Sequence, residues 1–130
     1  MKSIEGLKLI NRIHKDLISS GFNAEKLVAD LKKLRPYSIE DEDPVMAKVI
    51  RLTYEHIEQF DGFFITIPED ISVEDEEIIE SDVDITESKE AQIESLEYLF
   101  SLIQDSTNKN NRMDLIEYRS KLVKFAEENA

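Results

Sequence analysis

Ile4, Leu7, Ile10, Ile13 and Leu17 recur at three- and four-residue steps, and four further stretches of the chain repeat that spacing. A stripe with the 3.6-residue period marks an amphipathic helix with one face turned to a core. In the first stretch Lys8, Asn11, Arg12 and Lys15 take the opposite side. Ser3 offers an N-cap there, and Gly21 is placed to end the helix in a left-handed conformation. Asn23 then caps a second helix with Ala24, Leu27, Val28, Leu31 and Leu34 on one stripe. Pro36 cannot donate to the helical ladder and disfavours helical geometry at Arg35, so it is expected to stop this helix. The short Gly21-Phe22-Asn23 connection makes the two helices antiparallel neighbours.

Asp43-Pro44 opens a third helix, an acidic cap followed by a proline at the first helical position. Met46, Val49, Ile50, Thr53, Ile57 and Phe60 follow its buried side, and Asp61-Gly62 ends it. Thr86 or Ser88 starts a fourth, with Ile93, Leu96, Leu99, Phe100 and Ile103 on one face. Residues 105–111, rich in Ser, Thr and Asn, read as a loop. A fifth helix carries Leu115, Tyr118, Leu122 and Phe125, its face widened by Ile116 and Val123. Between helices three and four, residues 63–68 have strand-like composition and 82–85 alternate with period two. That segment, 63–85, is expected to form either a small β ribbon or a long acidic loop, since two strands alone are marginal in water. The expected fold is all-α: a single domain over 1–130, a bundle of four to five helices built as two helical hairpins plus a central helix. Leu7, Ile10, Ile13, Leu27, Leu31, Val49, Ile57, Leu96, Phe100, Leu115 and Leu122 are its expected core.

Charge is distributed as unevenly as hydropathy. Residues 1–37 carry eight Lys/Arg against four Asp/Glu, residues 38–104 three against twenty, and residues 105–130 five against five. Such a chain, at −13 overall, is repelled by nucleic acid and anionic lipid over most of its surface. Its natural counterpart is a basic protein, or its own basic residues Lys26, Lys32, Lys33 and Arg35, within the chain or by self-association. There is no Cys, which excludes disulfides, thiolate chemistry and the cysteine-based zinc sites. Met1-Lys2-Ser3 leads straight into the amphipathic pattern without an apolar leader, and no window approaches the ~20 apolar residues of a membrane span. An aqueous, cytoplasmic setting is expected, with no membrane association.

Few residues are arranged for catalysis. Arg51-Leu-Thr-Tyr-Glu-His56 resembles the signature of HEPN ribonucleases, small helical bundles in which such an Arg and His act at the RNA phosphodiester, usually across a dimer. The resemblance covers six residues and two identities, and Leu52 stands where that family often has a polar residue. Positions five apart on a regular helix point about 140° from one another. The residues by themselves therefore predict an Arg51–Glu55 pair at i,i+4, with His56 edging the core beside Leu52. His14 sits at the border of the first apolar stripe and has no metal-ligand spacing with Glu5 or Asp16. Asp82-Val-Asp84-Ile-Thr86 begins like an EF-hand loop, but Glu87 stands where Gly is needed and Ile93 where Glu is needed. No phosphate-binding loop or nucleophile elbow is present. No cofactor and no metal site are expected.

The acidic middle remains. Its carboxylates either serve solubility alone or form an electrostatic docking surface. In the docking case Glu74, Asp75, Glu76 and Glu77 steer the encounter, and Phe63, Phe64, Ile78, Ile79 and Val83 provide apolar anchors. The expected function is a small, acidic, non-enzymatic protein-binding module of the immunity, antitoxin or adaptor kind. It is similar in physical type, though not in sequence, to colicin-type immunity proteins. The alternatives are a HEPN-like RNA-processing enzyme using Arg51 and His56, or a purely structural oligomer-forming subunit.

Overall fold

A computed structural model describes residues 1–68 and 88–129, and these form an all-helical bundle. Five α-helices are present among the described residues: α1 (Ile4–Ser20), α2 (Ala24–Glu40), α3 (Pro44–Phe60), α4 (Lys89–Gln104) and α5 (Lys109–Glu128). Their principal contacts close a ring: α1 on α2, α2 on α3, α3 on α5, α5 on α4, and α4 back on α1. The core fills that ring, with Ile10, Leu31, Val49, Leu96, Phe100 and Leu115 among its fully enclosed members. Every core residue expected from the spacing is buried except Leu7, which is half-buried against the cluster. No described helix is long and apolar enough to cross a membrane.

The helix starts follow local chemistry. The Ser3, Asn23, Asp43 and Ser88 side chains accept the N–H groups of Gly6, Lys26, Met46 and Ala91, satisfying donors that have no partner inside the helix. Gly21 ends α1 with φ at +79°, as expected of glycine, although its ψ of −168° places it outside the left-handed helical region.

Several expectations need correction. Pro36 does not stop α2, which runs on through it to Glu40. Beyond the proline, Ser38 is fully buried and its hydroxyl donates to the Arg35 carbonyl at 2.6 Å. Tyr37 also packs on the core, so tertiary burial outweighs the missing ladder bond. The Ser/Thr/Asn-rich loop is shorter than expected, because Asn108 caps α5 by accepting from the N–H groups of Asn110 and Asn111. Asp61, rather than Gly62, takes the left-handed conformation that ends α3, at φ 53° and ψ 40°. Ile4 and Ile116 belong to the apolar stripes by spacing yet are 71% and 40% exposed: Ile4 is the first residue of α1, and Ile116 flanks the buried line of Leu115, Tyr118 and Leu122.

Residues 63–68 form no strand. The 82–85 half of the anticipated ribbon lies outside the described residues.

Candidate functional site

The most elaborated polar architecture in the described bundle surrounds residues 62–68, which cross the end of the bundle after α3. Phe63 is fully buried and Ile65 nearly so, while Phe64 and Thr66 are half-buried, giving a period-two pattern without a neighbouring strand. Their main-chain groups are satisfied instead by side chains from three helices. The Phe63 N–H donates to Gln92 Oε1 at 3.1 Å and the Phe64 N–H to His56 Nε2 at 3.1 Å. The Ile65 carbonyl accepts from Ser95 Oγ at 2.7 Å, and the Thr66 carbonyl from Lys121 Nζ at 3.1 Å. Gly62 makes this return possible: a Cβ there would stand 2.7 Å from Phe64 Cζ and 2.9 Å from Gln92 Oε1.

Ser95 and Tyr118 carry the polar network deeper. The Ser95 hydroxyl lies 2.9 Å from the Tyr118 hydroxyl, which also donates to the Ser95 carbonyl at 3.0 Å. Burial pushes the Tyr118 phenol far above its ordinary range. No buried side-chain nitrogen or oxygen of the described residues lacks a partner. These hydroxyls and amides are engaged in holding the segment against the helices.

His56 sits among aromatic rings, with Phe60, Phe63, Phe64 and Phe125 at centroid distances of 5.0, 5.6, 6.0 and 4.8 Å. Desolvation lowers its pKa to about 4, so the imidazole is neutral near neutral pH. Arg51 does not join it: its guanidinium lies 3.2 Å from Glu55, the i,i+4 pair anticipated from the spacing. One member of the HEPN-like motif is thus held in a surface pair, and the other is enclosed in the core. The arrangement does not present both to one phosphodiester.

His14 is half-buried on α1, with Nδ1 3.3 Å from Gln104 Oε1 and Nε2 4.0 Å from Glu97. Among the described residues no group of three His, Asp or Glu is arranged to hold a metal ion. Three of the four basic residues considered as an internal counterpart have partners nearby. Lys26 lies 2.6 Å from Asp16, Lys32 3.0 Å from Glu58, and Arg35 donates through Nε to the Ala47 carbonyl at 3.3 Å. The hydrogen bond from Lys26 holds the Asp16 carboxyl below its usual range.

Of the expected docking residues, Phe63 is built into the core and is not available as a surface anchor, because its ring fills the space beside His56 and Tyr118. Phe64 is half-buried, its ring stacked at 12° to Phe125 with centroids 6.4 Å apart. Glu74, Asp75, Glu76, Glu77, Ile78, Ile79 and Val83 lie outside the described residues. Gln92 and Ser95 were missed as key positions. Their signal was present, since both are polar residues standing on the apolar stripe of α4. No family model, no curated protein and no solved structure matches this chain.

Proposed function

We propose that this chain is a non-enzymatic protein-binding module, of the immunity, antitoxin or adaptor kind, that docks a basic protein partner through its acidic middle segment. The supporting observation is the concentration of charge. Residues 69–87 hold ten carboxylates and no Lys or Arg, leaving only three of the thirteen net negative charges on the rest of the chain. A field so localised steers a cationic partner toward one place and is screened by salt. Both neighbours of the segment are fixed in the bundle: Pro68 is buried, and Ser88 caps α4. In this role Glu74, Asp75, Glu76 and Glu77 accelerate the encounter, while Ile78, Ile79 and Val83 hold the complex afterwards. The lack of any Cys suits a cytoplasmic setting.

The test compares the whole wild-type chain with a variant in which Glu74, Asp75, Glu76 and Glu77 become Gln or Asn. Each serves as bait in the native cell extract at low and then moderate salt. A basic protein retained by the wild type, released by salt and lost from the variant is the expected result. With that partner purified, the charge variant slows association, and Ile78→Ser with Ile79→Ser speeds dissociation. Identical partners and kinetics for all three chains refute the role, and recovery of RNA in place of protein favours the HEPN-like alternative.

A further inference from the structure

We infer that residues 62–68 form an acid-released strap and that His56 is its latch: the neutral imidazole accepts the Phe64 N–H, and a proton taken up at Nε2 removes that acceptor and opens the strap. This device is independent of the docking role. Its basis is the geometry around one nitrogen. Nε2 lies 3.1 Å from the Phe64 nitrogen, so the neutral ring carries its proton on Nδ1. When solvent supplies a second proton, Nε2–H faces N–H, two donors with no acceptor between them. Among the described residues Nε2 has no other hydrogen-bond partner. The four surrounding phenyl rings, tilted 53–70° from the imidazole plane, offer a cation their π faces but no lone-pair acceptor for the added N–H.

The charged groups on each packed element are otherwise placed. On α3, Glu55 is turned to Arg51 at 3.2 Å, and Asp61 is exposed at the helix end. On α5, Lys121 reaches Thr66, and Lys124 is exposed. On α4 the strap meets neutral Gln92 and Ser95, and residues 62–68 contain no ionisable side chain. Among the described residues no carboxylate forms an ion pair with His56. Among the described residues an imidazolium in this place has no charged partner, and the strap is the layer that opens to admit water to it. The helices close on one another in a ring, whereas the strap is held by three buried side chains, Phe63, Ile65 and Pro68, and by side-chain hydrogen bonds. It is therefore the unit expected to open first.

The magnitude follows from the lowered pKa of about 4 against the ordinary 6.5: opening gains about tenfold for each pH unit below 6.5, on the order of a hundredfold by pH 4.5. Amide hydrogen exchange on the full chain between pH 7 and 4.5, corrected for intrinsic rates, reads this directly. The Phe63 and Phe64 amides should lose protection with that slope, while those of Leu31 and Ile50 should not. His56→Gln, whose side-chain oxygen accepts a hydrogen bond and does not titrate, should flatten the dependence. The inference is overturned by pH-independent protection at Phe63 and Phe64, by an equal loss at Leu31 and Ile50, or by an unchanged slope in the variant. If His56→Gln does not fold, imidazole nitrogen titration of the wild type decides. A midpoint near 4 with a concerted shift of the Phe64 amide supports the latch, and a midpoint near 6.5 refutes it.

Discussion

Ser95→Ala removes one oxygen from a helix face on which only Gln92 is otherwise polar, and on hydropathy alone it should stabilise the protein. The structure predicts the opposite. Ser95 is 1% exposed, and its hydroxyl donates to the Ile65 carbonyl while lying 2.9 Å from the Tyr118 hydroxyl. Alanine leaves the Ile65 carbonyl without that donor, in a place where Ile65 itself is 3% exposed. A buried polar group left unsatisfied costs about 1–3 kcal/mol. Tyr118→Phe should cost less, about 0.5–1.5 kcal/mol, because it deletes a donor whose acceptors keep other partners: the Ser95 hydroxyl still has the Ile65 carbonyl to donate to. Together the two changes should cost less than their sum, since the second removes a group the first has already left short of a partner. Urea unfolding of the four proteins supplies the cycle, with the denaturant slope expected to stay constant. A Ser95→Ala variant as stable as the wild type would refute the reasoning, because the Ile65 carbonyl would then not depend on the hydroxyl. Strict additivity with Tyr118→Phe would show that the two hydroxyls do not act together.

Pro36 is exposed and interrupts the ladder of a helix that continues past it, so Pro36→Ala should raise stability by about 1–3 kcal/mol in thermal or urea unfolding. Asp43 caps α3 and takes Arg112 at 2.6 and 3.0 Å, and Asp43→Ala should cost roughly 1–3 kcal/mol, with Asp43→Asn costing less if its side-chain oxygen keeps the cap. Burial acts to raise the Asp43 pKa, but the hydrogen bonds and charge of Arg112 and the Met46 N–H outweigh it, and the net shift is downward. A carboxyl lowered in the folded state adds stability above its unfolded pKa and loses it as pH falls. The difference between wild type and Asp43→Ala in acid unfolding should therefore narrow as pH drops below about 4.

The helices were legible in the sequence because their causes are local. A cap at Ser3, Asn23, Asp43 or Ser88 needs only the backbone three residues ahead, and a buried stripe needs only its spacing. The stop that Pro36 predicts is a local penalty, and it is overridden by the burial of Ser38 beyond it, which is tertiary. Residues 63–67 were legible in one respect and not in another. Strand-like composition marks the stretch as extended and apolar, but it says neither which side chains face inward, which are Phe63 and Ile65, nor what satisfies the backbone. A second strand was the ordinary answer, whereas Gln92, His56, Ser95 and Lys121 are the actual one. Those partners lie 8 to 55 positions away in sequence, beyond any local window. For Arg51 and His56, helical geometry alone was enough to foresee their separation. Phe63 was misplaced as an anchor because an aromatic beside an acidic run looks the same whether it faces inward or outward.

Because the strap is gripped by its main chain, the information that positions it is written elsewhere. Main-chain groups are common to all residues except proline, so much of the strap's own sequence can drift without altering what holds it. Ile67 can change freely while positions 56, 92 and 95 must keep their acceptors and donor, and the segment's own constraints are on Gly62 and on an apolar residue at 63 and at 65. The same logic gives the helices a receptor's character toward this stretch. They recognise an extended backbone with two apolar teeth rather than a particular string of side chains, as a peptide-binding groove does. In a set of diverged copies, the marks of this fold would thus be clearest at the three polar positions on α3 and α4, and faintest in the segment they hold.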